Sequence, residues 1–377
     1  MLSTHRDHES GVFGNVFMFA KTKVTPVSEN GASALPRRFT NPFVFRLLML
    51  ALVSVGLLRL FNINIGSIGQ GLSYSLVGVA VFLTFRILRL PDLTVDGAFA
   101  VGGAVCAALI VAGTPAGITL FAAILAGALA GLITSLITVL LKVESLLASI
   151  IVITGAYTVT LRILDARSNL PLLNEDTILT PFQLPMRTWL VDTFGSEMRR
   201  QSNNIVEIIV IGTVVMVVLL ILNWFMHTEL GLTIRSSGQN NQLVQAVGIN
   251  HQSMIVLTLM LSNGLVGLAG ALTVQQLGFA DVSLGFGVII RGLAALMIGE
   301  VLLRPRSVGQ RIAAAALGMI LFDISRAWVF AALNLPTTDI RLVSALVVLA
   351  ALAAPKAAER WHEWQTHRKR NKEQEPA

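Results

Sequence analysis

Side chains able to do covalent or metal chemistry are scarce in this sequence and poorly placed for it. The six histidines (His5, His8, His227, His251, His362, His367) fall in tails or polar loops, with no cysteine partner and no HExxH spacing, so no metal site is expected. Cys106 is the single cysteine and lies in an apolar run, which excludes an intramolecular disulfide and suits a small buried hydrophobe. No Ser/His/Asp set converges in sequence. No Gly-Lys-Ser/Thr phosphate loop occurs either, so the chain has no evident means of binding ATP itself. What remains is charge and backbone chemistry inside apolar surroundings.

Three features offer such chemistry. In LRLPDLTVDGAFAVGG, Leu88–Gly103, Pro91 removes a backbone donor and Gly97 loosens the chain, with Asp92, Thr94 and Asp96 between them. This is either a discontinuous helix lining a solute path, or a turn in which Asp92 or Asp96 caps the next helix. Arg291, Asp323 and Arg326 are ionisable residues within apolar runs, flanked by Asp281 and Glu300. Asp323 and Arg326, three apart, share a helix face and suit an ion pair more than a solute contact. The third feature is a polar island, Thr228–Gln252, between two long apolar runs. After Gly238 come Gln239, Asn240 and Asn241, then Leu243, Val244 and Val247 at helical spacing, then Gly248 and Asn250. That pattern predicts a short helix with one apolar stripe, ended by Gly248 in a left-handed conformation. A short helix outside the membrane on a two-span scaffold reads as a docking element for another protein.

The elements that must position these residues follow from composition. The chain has 377 residues, 54% of them hydrophobic and 13% charged, where a soluble domain carries about 25% charge. Mean hydropathy is +0.73, so an all-α polytopic membrane protein is expected, and runs such as Gly212–Asn223 lack the alternation of a barrel strand. Apolar runs at 43–61, 66–88, 97–112, 116–141, 145–164, 205–226, 253–275, 286–303, 311–331 and 340–354 predict about ten transmembrane helices. Residues 1–42 read as a mobile cytoplasmic tail, 43–354 as the membrane domain and 355–377 as a basic cytoplasmic tail in which Trp361 and Trp364 precede Arg368, Lys369 and Arg370. The net charge of +7 is explained by basic loops rather than by nucleic acid. Arg86, Arg89, Lys142, Arg235, Arg304 and Arg306 all fall on one side, which predicts both ends inside, N-in/C-in, and places 227–252 in the cytoplasm. The long 165–204 loop then lies outside, as a lid or rim or as a plain connector, with a short helix near Arg187–Phe194. Glycine runs AGALAGLITSL and NGLVGLAGAL loosely resemble each other and would suit an internal repeat.

With these segments in hand, the chain resembles the permease subunits of bacterial ABC importers in the branched-chain amino acid and ribose permease superfamily, and most of all the group labelled tryptophan/tyrosine transport permeases. The resemblance rests on GLSYSLVGVAVFLTFRILRLPDLTVDGAFAVGGA at 71–104, LLASIIVITGAYTVTLRI at 146–163, TELGLTIRSSGQNNQLVQAVGIN at 228–250 and LGFADVSLGFGVIIRGLAALMIGEVLL at 277–303. It covers 66–354 and leaves the first 60 or so residues outside. It implies the ABC importer permease fold in a bacterial inner membrane, a homodimeric or paired pore, two ATPase subunits that bind the ATP and Mg, and an extracytoplasmic substrate-binding protein. No cofactor belongs to this chain. It further implies that Gln239–Asn250 is the loop that couples to the ATPase. Related permeases often have an acidic residue and alanine before the glycine; here Gln245-Ala246 precedes Val247-Gly248, so Ala246 and Gly248 alone match. The resemblance also favours a pore-lining break at Pro91–Gly97. The solute implied is an amino acid or similar small molecule; the rival reading is a stand-alone proton- or sodium-coupled transporter with Asp96, Arg291 or Asp323 as coupling charges.

Overall fold

The apolar runs fold as helices in a computed structural model that describes residues 66–333 except 196–200 and 247, with parts of 43–50 and 339–353. In chain order these are α1 (Gly66–Val81), continued by a π-helical stretch Phe82–Leu88, then α2 (Thr94–Val111), α3 (Ala116–Leu140) and α4 (Ser145–Ile163). A short strand β1 (Asn169–Pro171) and α5 (Thr180–Phe194) lead to α6 (Ser202–Met226). Two short helices, α7 (Glu229–Gln239) and α8 (Asn241–Ala246), precede α9 (His251–Leu277), β2 (Phe279–Asp281), α10 (Val288–Leu303) and α11 (Val308–Leu333). β1 and β2 pair antiparallel, Leu170 opposite Ala280, and mark one end of the bundle; α7 and α8 mark the other.

Seven helices among the described residues are long and apolar enough to cross a membrane, and all belong to runs expected as spans. The expected run 286–303 becomes α10, at 16 residues about 24 Å long and shorter than a hydrocarbon core of about 30 Å. Of the run at 43–61 only parts of 43–50 are described; of 340–354, residues 342–349 are described and helical, and both tails lie outside the described residues. The 97–112 run, short by sequence, gains a turn by starting at Thr94.

The helices sort into a centre and a shell. α1, α2 and α9 are buried almost all round, which fits their lack of a polar face. Around them, α3, α4, α6 and α11 turn apolar stripes outward, as with Ile118, Phe121, Leu125, Leu129 and Ile133 on α3. Such a stripe requires lipid or another chain against it. Within the centre, small residues set the spacing. Any Cβ on Gly127 would meet the Asn263 carbonyl and Gly267, and any on Gly267 would meet the Ala123 carbonyl, so α3 and α9 touch through backbone. The two glycine runs that resemble each other in sequence are therefore packing partners.

Candidate functional site

The Pro91–Gly97 segment is where most of these helices meet. The π-helical stretch ends at Arg89, left-handed at φ 60°, whose N–H bonds back to the Thr84 carbonyl. From there the chain runs non-helically through Leu93, and each of the next side chains is held by a different helix. Ser145 of α4 donates to the Pro91 carbonyl at 3.0 Å. Asp92 Oδ1 accepts from the Thr94 N–H at 2.9 Å and Oδ2 from Asn263 Nδ2 of α9 at 2.7 Å. Thr94 and Thr134 of α3 share a hydroxyl contact of 2.6 Å, and Gly97 packs against Ile153 and Ala156 of α4.

Depth distinguishes this segment from an ordinary turn. Asn263 lies 12 residues after His251 (263 − 251), so about 18 Å along α9 from its start. A carboxylate bonded there is far inside the bundle, and α2 starts at that depth. The helix path is broken inside the bundle, and Asp92 accepts from the first N–H of the restart. Asp92 and Thr94 are fully buried and satisfied by protein.

Asp96 acts on another helix. Its carboxylate accepts from Gly287 N at 2.9 Å and Ile289 N at 2.8 Å, capping α10, whose own N-cap residue, Gly287, has no side chain to do so. The chain reaches that point by dipping inward from β2, with Gly285 pressed on the Asp96 carbonyl. Two helix N-termini, of α2 and α10, thus lie side by side, each offset by a carboxylate.

The three charges expected within spans lie together. Arg326 Nη2 is 3.1 Å from Asp323 Oδ1 and donates to Gln70 Oε1 at 2.9 Å, as the three-residue spacing predicts. Arg291 sits over the Tyr74 ring, 5.0 Å from its centroid, and Tyr74 stacks on Phe99 at 5.2 Å. Glu300, at the far end of α10, pairs with Arg86. Across α1, Gln276 bonds Glu207 at 3.0 Å and Ser73 at 2.9 Å, while Gln275 is spent on Ile178 N and the Cys106–Thr119 pair.

The polar island is a pair of helices. Spacing predicted the second, α8, and Gly248 takes φ 82°, the left-handed value expected of it. Val244 is buried, Gln245 and Ala246 are exposed, and the side chains of Leu243 and Val247 lie outside the described residues. Spacing did not predict α7, although Thr228 accepts from Gly231 N at its start and Glu229 follows, both helix-start signals. α7 is wedged: a Cβ on Gly238 would collide with the Ile87 carbonyl, at the end of the π-helical stretch. Ser237 also bonds His251, at the start of α9. Gln239 ends α7, Asn240 accepts no helical conformation (φ −148°), and Asn250 caps α9 through Gln252 N. Asn263 was missed as well; an amide in the middle of the 253–275 run was the available signal.

The 165–204 loop carries β1 and α5, which starts at Thr180 rather than near Arg187. An open cleft of about 720 Å³ lies beside it, lined by Thr114, Asn174, Glu175, Asp176 and Phe182 among others.

Comparison with known proteins bears on a bundle of this kind. A family model described as branched-chain amino acid transport system / permease component matches residues 63–352. The chain is 30% identical over 284 residues to a tyrosine transport system permease protein of Clostridioides difficile, covering 75% of this chain and 88% of the relative. It is 29% identical over 301 residues to an uncharacterised protein of Rickettsia prowazekii, covering 78% and 98%. A shorter match, 26% over 164 residues and covering 43% and 48%, is to an autoinducer 2 import system permease protein of Photorhabdus laumondii. No solved structure matches. The family match spans every helix described above, from the broken path at Pro91 to the charges on α11. The chain therefore belongs to the family of branched-chain amino acid transport system permease components, and is a multi-pass membrane transport protein.

Proposed function

We propose that the chain is the translocating subunit of an ATP-driven importer in a bacterial inner membrane, moving an amino acid or similar small solute. A separate ATPase, which holds the ATP and Mg, docks on Gln239–Asn250; an extracytoplasmic binding protein loads the opposite face, and a second permease copy completes the pore. The observation that carries this reading is the wedge of α7 against Ile87. A force on the α7–α8 pair is delivered to the end of the π-helical stretch, five residues before Asp92 and the buried restart of α2. The His251–Ser237 bond adds α9 to the same lever. The sequence holds no phosphate loop, which gives the lever a reason to be driven from outside.

The test is uptake into proteoliposomes that hold the chain with or without its ATPase and binding protein. The expected result is uptake that requires enclosed ATP and the ATPase, and survives an uncoupler. Uptake that ignores ATP and collapses with the uncoupler would return the chain to secondary transport. Nothing in the arrangement of Asp96, which is engaged in capping α10, favours that second reading.

A further inference from the structure

We propose that Arg291 and Asp323 form a recognition site for the zwitterionic head of a free amino acid, with the solute carboxylate on Arg291 and its ammonium on Asp323. This deepens the permease reading and rests on it. Arg291 is partly exposed, and among the described residues its guanidinium has no hydrogen-bond or ion-pair partner; it is held only over the Tyr74 ring. Five N–H donors in a planar fork therefore remain for a ligand, and that fork matches a carboxylate. Tyr74, stacked from behind by Phe99, is the positioning residue that fixes the fork.

Asp323 supplies the other half. It is fully buried, and its pairing with Arg326 is close in distance but aligned so that neither carboxylate oxygen receives a hydrogen bond. A buried carboxylate with unspent acceptors is costly unless another donor arrives. Arg291 lies over Tyr74, and Arg326, paired with Asp323, donates to Gln70 one turn earlier on α1, so the guanidinium of Arg291 and the carboxylate of Asp323 flank the same stretch of α1. The four charges, Arg291 and Arg326 against Asp96 and Asp323, sum to zero. A net-neutral zwitterion keeps that balance, whereas an amine or an acid alone would leave an uncompensated charge where little water screens it. Sites built to satisfy a polar group reject analogues that lack it far more strongly than they reject a change in apolar size.

The purified full-length chain in detergent is titrated with L-tyrosine, L-tryptophan and L-leucine. Each is compared with its decarboxylated amine (tyramine, tryptamine, isopentylamine) and its deaminated acid. At least one zwitterion should bind at least about tenfold more tightly than both of its analogues. Arg291→Lys keeps the charge at a partly exposed position and removes the fork; it should melt like the wild type and erase the preference for zwitterion over amine. Asp323→Asn should erase the preference for zwitterion over acid; if it fails to fold, Arg291→Lys decides alone. Binding of no zwitterion by the wild type, equal binding of either analogue, or a preference that survives Arg291→Lys would overturn the proposal. Because no ATPase is present, such a failure leaves the permease reading to the uptake experiment, and ATP-independent uptake would overturn that reading without touching these affinities.

Discussion

Asp92 shows what a single buried acid does in this bundle. It holds the N–H of Thr94 at the start of α2 and the amide of Asn263 in the middle of α9, so this buried carboxylate ties a helix restart to a neighbouring helix. Replacing it leaves two buried donors unsatisfied. Asp92→Ala should destabilise the purified protein by about 2–3 kcal/mol, read by thermal or denaturant unfolding in detergent. Asn263→Ala removes the shared bond from the other side. The double variant should cost less than the sum of the singles, by about 1 kcal/mol or more. Additive losses would mean that the two side chains do not depend on each other. The presence of Asp92 was readable in the sequence, since an acid after Pro91 at a span boundary draws attention. Its partner was not, because Asn263 lies 171 positions away and an apolar helix buried all round has no polar face to say which neighbour it meets.

Helices in this protein meet through backbone at some glycines and through ordinary contact at others, and the two classes should respond differently. A Cβ at Gly267 would overlap the Ala123 carbonyl and the Gly127 backbone, which cannot move without shifting α3. Gly264, one turn earlier on α9, has room for a methyl against Ile124 and Ala128. Gly267→Ala should cost about 1–3 kcal/mol and lower the yield of monodisperse protein, while Gly264→Ala should stay within about 0.5 kcal/mol of the wild type. Equal melting of the two variants would sink the backbone-contact account. α10 offers a second case. Its N-terminus is capped from α2 by Asp96, so Asp96→Ala should cost about 1–2 kcal/mol and raise amide exchange at Gly287 and Ile289 first. Apolar runs located these helices to within a few residues, because runs of about 20 apolar residues have few other uses. They could not place the start of α10 or α2 in depth. A helix that begins inside a bundle and one that begins at its surface have the same composition, and only the distant cap distinguishes them. α7 was hidden for a different reason: its residues are polar as a loop's would be, and the decisive contact, Gly238 on Ile87, is again long-range.

Among the described residues, the basic side chains separate along the axis of the bundle. Arg86, Arg89, Lys142, Arg235, Arg304 and Arg306 border the end that carries α7 and α8. At the β1–β2 end, Arg167 and Arg187 are accompanied by Asp165, Glu175, Asp176 and Asp192. The rule that short basic loops stay on the cytoplasmic side predicts an orientation with α7 inside. The protein is well suited to testing this. Cys106 is its single cysteine and is buried, with its sulfur 3.2 Å from Thr119 Oγ1, so Cys106→Ser puts a hydroxyl where hydrogen-bonding groups already wait. In that background Gln242→Cys on α8 and Leu173→Cys beyond β1 each create one exposed thiol at opposite ends. A membrane-impermeant maleimide applied to intact cells whose outer envelope has been made permeable should label the thiol at 173 and spare the one at 242. Opening the inner membrane should expose both. Labelling at 242 in sealed cells would turn the bundle over, place the α7–α8 lever on the face away from any cytoplasmic ATPase, and remove the mechanical basis of ATP-driven import through it.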